Sequence, residues 1–326
     1  METLITSRSL VCDLEAVLTR EADGYYFSLL YHPDAERQTI RRCRIGDTDI
    51  PIHTERLIII WYPSFDSAAV FHGDDLLCAI PPEATSQGFP GFSRYVKGKT
   101  PLAWAFSPDE ETVEKRVLES AKFWGWMRRD DWWADVQERH LGILNNFFGA
   151  HEQYFAIDGD KFPPRALVTG RRSGTVYGIT IGMSLFQMPK AAYFCGKYAL
   201  DFCRTELGFA VSEQLQGFTE VMAPQLSWMA AHPWEKLTML NHGHTVNLSN
   251  VPGFPAAVLV HPDAVTGMEK PSYPAFFGCP INLLWVVPVT QQELIYLYKN
   301  DVTALLHRAC LPERLHIFDG TPKLGV

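Results

Sequence analysis

Two histidines, His242 and His244, flank a glycine in Asn-His-Gly-His-Thr. On a strand, residues two apart point to one face, and imidazoles placed that way can chelate a transition metal. Zinc takes three or four protein ligands, and no Cys or His at a recognised spacing completes this pair. The expectation is therefore no metal, with His244 hydrogen-bonded beside a tight glycine turn. Arg204 and Glu206 also alternate, next to Cys203 and Leu207, which would put two opposite charges on one strand face. Such a pair at the surface contributes little, so a cross-strand ion pair and contact with a partner stand as equal readings. Gly178-Ile-Thr-Ile-Gly182 has the outline of a nucleophile elbow, but threonine stands where serine is needed and Met183-Ser-Leu-Phe186 lacks a clear helix start. The β-branched Val176, Ile179, Thr180 and Ile181 after Gly174 instead predict a turn and a strand. His-Pro-Asp occurs at His32 to Asp34 and at His261 to Asp263, each after a strand-like run, and turn formation by Pro and Asp accounts for both. No phosphate-binding glycine loop, metal set, triad or cofactor fingerprint emerges, so no catalytic residue and no cofactor is assigned.

The elements that must position these residues are clearest near the end of the chain. Ile281 to Pro288 (INLLWVVP) is nearly all apolar, rich in β-branched and aromatic types and too short to span a membrane, which predicts a strand covered on both faces and ended by Pro288. Thr290 and Glu293 then have the spacing of a capping box, with Val289 and Leu294 placed as a hydrophobic staple over it. Leu294, Leu297 and Tyr298, then Val302, Leu305 and Leu306, fall at helical spacing around a break at Asn300-Asp301. In the first half, Tyr25 to Tyr31, Arg56 to Tyr62 and Leu76 to Ile80 read as strands of a twisted, mainly antiparallel sheet. Residues 81 to 100 lack periodicity and read as a long surface loop. Pro101 to Phe106 reads as a strand, and Ser107-Pro-Asp-Glu110 as a second capping box opening a helix whose apolar face is Val113, Val117, Ala121 and Trp124. Trp124, Trp126, Trp132 and Trp133 concentrate near an expected domain junction, where packing between the halves is the expected role.

A chain of 326 residues with 47 % hydrophobic content suits two cores, expected as an N-terminal α+β domain over 1–139 and a second α+β domain over 140–326, each a mainly antiparallel sheet packed with helices. A net charge of −8 without a long basic run disfavours nucleic acid as a partner. Arg8, Asp13, Glu15 and Arg20 interrupt any signal-peptide core, and no apolar run reaches membrane length, so a cytoplasmic protein is expected. Seven cysteines without a C-x-x-C pair predict free, mostly buried thiols.

Five groups of residues, in order along the chain, resemble the bacterial suppressor-of-fused domain family. They are His140-Leu141 with Phe148-Gly149, Thr180-Ile-Gly-Met-Ser184 with Met188-Pro189, Arg204-Thr-Glu-Leu207, Gly243-His244-Thr245, and the strand, cap and helices from Ile281 to Leu306. The resemblance spans roughly residues 140 to 310. It implies an α+β domain that, in animal relatives, holds a short segment of a transcription factor by adding it as a strand to a sheet, so that main-chain hydrogen bonds supply affinity and side-chain pockets choose the sequence. For bacterial relatives it implies immunity proteins that neutralise secreted toxins. The expected function is thus a non-enzymatic protein- or peptide-binding module whose partner could be a toxin domain. Its candidate partner-binding residues are Arg204, Glu206, His242, His244, Met183 and Ser184. The competing expectation is an enzyme in which His242, His244, Arg204 and Glu206 converge in a cleft.

Overall fold

The computed structural model describes residues 1–32, 38–85, 89–106, 110–215, 217–264, 269–308, 318–322 and 324. Two compact units emerge. The first comprises Met1–Asp130, Gln187–Cys203 and Trp234–Met239, and the second Asp131–Phe186, Arg204–Pro233 and Leu240–Val326.

The first unit opens with a four-stranded meander of β1 (Glu2–Arg8), β2 (Leu14–Glu21), β3 (Gly24–Tyr31) and β4 (Gln38–Gly46), each antiparallel to its neighbour. A five-stranded sheet follows, made of β5 (Leu57–Trp61), β6 (Ala68–His72), β7 (Asp75–Ile80), β8 (Phe92–Ser93) and β9 (Trp104–Ala105). The 81–100 stretch is therefore not all loop: a short helical turn at Pro82–Thr85 and strand β8 lie within it, because the Cys78–Ala79 edge of β7 offers backbone partners to Phe92 and Ser93. The strand read at 101–106 shrinks to Trp104–Ala105. Helix α1 (Glu110–Met127) turns Val113 and Val117 onto Tyr62, Phe71 and Leu76, as its apolar spacing requires, and Trp124 donates its indole N–H to the Trp61 carbonyl at 2.7 Å. The capping box expected at 107–110 and the first His-Pro-Asp turn fall on residues outside the described set.

The second unit begins with α2 (Trp132–Phe148). A seven-stranded sheet then forms in the order β10-β11-β12-β13-β16-β15-β14. Its first strands are β10 (Gln153–Ala156), β11 (Ala166–Arg172) and β12 (Thr175–Ile181). The 187–203 segment, part of the first unit, carries short helices α3 (Ala191–Cys195) and α4 (Ala199–Phe202), and β13 (Thr205–Ser212) is the next strand of the second unit's sheet. Helix α5 (Phe218–Glu235), β14 (Thr245–Asn247), β15 (Ala256–Val260), β16 (Asn282–Val289), α6 (Gln291–Leu297) and α7 (Val302–Arg308) complete it. Mixed α+β content with mainly antiparallel sheets packed by helices is what composition and patterning led us to expect.

β16 is central, parallel to β13 on one side and antiparallel to β15 on the other, which is why its sequence is apolar without alternation. Pro288 does not end it. The ladder with β13 stops at Trp285, so the missing amide costs no bond on that side, while pairing with β15 runs on through Pro288 and Val289. Trp285 is 1 % exposed and lies over Gly208, where an added Cβ would sit 2.9 Å from the indole. The capping box forms as spaced: the Glu293 amide donates to Thr290 Oγ1 at 3.2 Å and the Thr290 amide to Glu293 Oε2 at 2.7 Å. Glu293 is fully buried, and its other oxygen accepts the Leu324 amide at 2.9 Å, tying the cap to the chain's last residues. The break after α6 is also a cap, with Asp301 accepting the Ala304 amide at 2.8 Å. Among the described residues, no helix is long and apolar enough to cross a membrane. The described cysteines are all buried except Cys195, which is half-buried.

Candidate functional site

The densest group of chemically capable side chains gathers around Glu206 in the second unit. β12 ends at Ile181, and Gly182 turns the chain with φ of +105° into a single helical turn at Met183–Leu185. Only glycine suits this corner, since the backbone is left-handed and a Cβ would sit 2.7 Å from the Pro164 carbonyl oxygen. β13 lies antiparallel to β12 and brings Glu206 beneath that turn. The carboxylate accepts four hydrogen bonds there: from Thr180 Oγ1 at 2.6 Å, from the Gly182 and Ser184 amides at 3.0 Å each, and from Ser184 Oγ at 2.6 Å. Thr180 Oγ1 also accepts the Leu207 amide at 2.8 Å. Arg204 approaches the same turn from its carbonyl side, donating to the Ser184 oxygen at 3.0 Å and to the Leu185 oxygen, with its guanidinium 5.1 Å from the centre of the Phe276 ring.

Arg204, Glu206 and Ser184 have no solvent exposure, and Met183 has 1 %. The two charges therefore do not form the surface pair that strand alternation suggested. Each is taken out of water and matched to the backbone polarity of one turn, donors to Glu206 and carbonyls to Arg204. Hydrogen bonds to a charged group contribute about 1.5–3 kcal/mol each, and here they offset the cost of burying both ions.

His140, on α2, extends the cluster, with Nδ1 donating to the Val136 carbonyl at 3.0 Å and Nε2 lying 3.3 Å from Ser184 Oγ and 3.6 Å from Glu206 Oε1. Tyr273 packs its ring 5.6 Å from that of His140. Burial first, and the Glu206 carboxylate second, push the Tyr273 hydroxyl well above the usual tyrosine range. Serine, histidine and glutamate thus meet, but not as a catalytic triad. In a triad the carboxylate orients the histidine and the hydroxyl faces substrate. Here the carboxylate accepts a hydrogen bond from the serine hydroxyl directly, a main-chain carbonyl orients the histidine, and the serine is sealed from solvent. The arrangement holds a turn.

His242 and His244 lie elsewhere. β14 starts only at Thr245, so the histidines sit in the preceding turn, where Gly243 has φ of +82°, and the strand geometry that would have aimed both to one face is absent. His242 Nδ1 accepts the His261 amide at 3.1 Å, and burial followed by the neighbouring His261 lowers its pKa. The His244 backbone closes the turn, its amide donating to the Asn241 carbonyl at 3.1 Å and its carbonyl accepting the Leu259 amide at 2.8 Å. Among the described residues, no three His, Cys, Asp or Glu come together as a metal site. Sequence reasoning named Arg204, Glu206, Met183 and Ser184 without their joint purpose and missed Tyr273, which sits in an aperiodic Pro-rich stretch that carries no local signal.

Residues 164–321 match the family described as suppressor of fused protein (SUFU). A solved structure described as a SUFU homolog from Neisseria gonorrhoeae is similar at 14 % identity, covering 59 % of this chain and 99 % of that one, with a TM-score of 0.39. No curated protein matches. The Thr-x-Gly-Met-Ser turn and the Arg-x-Glu-Leu strand that suggested the family are the two halves of the buried lock just described, and over residues 164–321 the chain carries a suppressor-of-fused-type domain.

Proposed function

We propose that this protein is a non-enzymatic protein- or peptide-binding module of the suppressor-of-fused type, which takes an extended segment of its partner onto the open edge of β10. The observation that carries this reading is the character of that strand. Among the described residues β10 pairs with β11 on one side only, and all four of its residues are exposed, including the aromatic Tyr154 and Phe155. An unpaired edge presents a row of main-chain donors and acceptors, and strand addition uses them for affinity while side chains select the sequence. The Ile157 amide bonds to the Arg165 carbonyl, which sets the alternation so that Tyr154 and Ala156 turn their backbone groups away from β11. Arg204 and Glu206 are committed to the buried lock and His242 and His244 to a separate turn, so the four side chains do not converge in one cleft. A toxin domain is one partner such a module would serve; the chain's net charge of −8 suits a basic one.

The test is affinity isolation from the source cell with the wild-type chain and with Ala156→Pro, which deletes one outward amide without removing a bond to β11. A partner held by the wild type and lost by the variant supports strand addition at β10. Equal capture by both removes the edge from the proposal, and no partner at any growth stage removes the binding function.

A further inference from the structure

The first unit contains a cavity of about 350 Å³ that has no part in the reading above. Its wall is assembled from β3, β4, the Ser64–Ser67 turn, and the 187–203 and 234–239 segments. Three cationic side chains line it, Arg41, Lys190 and Lys236, against one carboxylate, Asp66, in a chain that is acidic as a whole. Asp66 is already engaged: it accepts the Lys190 amide at 3.0 Å and the Ser67 hydroxyl at 3.1 Å. Its charge also acts on Arg41, which leaves the two lysines in excess. Among the described residues, neither lysine side chain has a carboxylate partner, and Arg41 donates through Nη1 only to the Ile40 carbonyl at 2.7 Å. Arg41 Nε is buried and has no acceptor among the described residues, which is costly for a donor so placed. Lys190 and Leu237 both adopt left-handed backbone conformations, with φ of +55° and +48°, which non-glycine residues rarely occupy and which place them on the cavity wall.

We propose that this cavity binds a small organic oxyanion, a carboxylate or a phosphate ester carried on an apolar body. Its volume falls within the range of small-molecule sites. The cations supply the charge that an oxyanion needs, the orphaned Arg41 Nε–H supplies a directed donor, and Leu237 with the Tyr31 ring supplies apolar surface for the rest of the ligand. A cationic ligand would meet an excess of like charge, and a purely apolar one would leave the Arg41 donor buried without a partner.

Calorimetric titration of the full chain with hexanoate, phenyl phosphate and hexylammonium tests this. Hexanoate or phenyl phosphate is expected to bind with a dissociation constant of about 1 mM or below and to weaken as salt is raised, while hexylammonium does not bind. Binding by one anion alone assigns the headgroup class. Lys236 is exposed, so Lys236→Gln leaves the fold intact and is expected to weaken binding about threefold, and Lys190→Gln/Lys236→Gln about tenfold, with circular dichroism unchanged. The proposal is overturned if neither anion binds at about 10 mM, if hexylammonium binds as well as they do, or if the double variant binds anions as the wild type does.

Discussion

Glu206→Gln is the most direct probe of the lock that holds the Thr180 to Leu185 turn. The glutamine is nearly isosteric, so no cavity opens and the backbone has no reason to move. With its carbonyl oxygen in the place of Oε1 it still accepts the Gly182 and Ser184 amides and the Ser184 hydroxyl, but as a neutral acceptor. Its amide nitrogen then faces Thr180 Oγ1, which now donates its own proton to the carboxylate at 2.6 Å and would have to accept instead. Each charge-assisted bond reduced to a neutral one loses about 1 kcal/mol, and the three that persist lose about 3 kcal/mol together. Removing a buried charge returns part of that loss, so a net destabilisation of about 2–3 kcal/mol is expected. The assay is urea unfolding followed by tryptophan fluorescence, to which all nine tryptophans contribute. Pairing the variant with Ser184→Ala in a double-mutant cycle should give a coupling of about 1–2 kcal/mol, since the two side chains share a bond. A loss below about 0.5 kcal/mol, or a coupling near zero, would refute the claim that a carboxylate charge holds this turn.

Gly208→Ala places a methyl group 2.9 Å from the Trp285 indole in a sheet with no room to yield, and should cost about 1–3 kcal/mol by thermal or urea unfolding; an unchanged midpoint would mean that the indole moves freely. Thr290→Ala removes the cap acceptor of α6 and should cost about 0.5–2 kcal/mol, an effect that Thr290→Ser should largely avoid. Asp66 gives a pH signature. Burial raises its carboxyl pKa in the folded state, against hydrogen bonds from the Lys190 amide and Ser67, so the native chain holds this proton more tightly than the unfolded one. The stability it contributes is complete below the ordinary carboxylate value of about 3.9 and is lost as pH rises through the elevated value. The stability of the wild type minus that of Asp66→Asn should therefore fall with rising pH from about 4 and then level off; a flat difference from acute acidity to neutrality sinks the assignment.

Local structure was legible because its causes are local. The Thr290–Glu293 box is decided within three residues, and the helical spacing of Val113 and Val117 is decided within one turn. Where partners come from far along the chain, residue type suggested a role but not its sense. Strand alternation put Arg204 and Glu206 on one face and left open whether water lay beyond it; in the fold, the backbone of 182–185 lies beyond it. The His242 and His244 spacing carried the geometry of a strand only if a strand was there, and the glycine between them serves a turn.

From the sequence alone came the α+β class, the strands and capped helices, and the segments that mark a suppressor-of-fused-type domain, since periodicity, capping and turn chemistry act between near neighbours. Tertiary structure decided what those segments are for. Glu206 becomes the anchor of a turn only when its donors, up to 26 residues away, are folded against it, and the cationic cavity exists only because Lys190 is brought across 124 residues to Asp66. Burial and long-range hydrogen bonding are properties of the assembled chain, and they turn residues that look reactive in the sequence into the parts that hold it together.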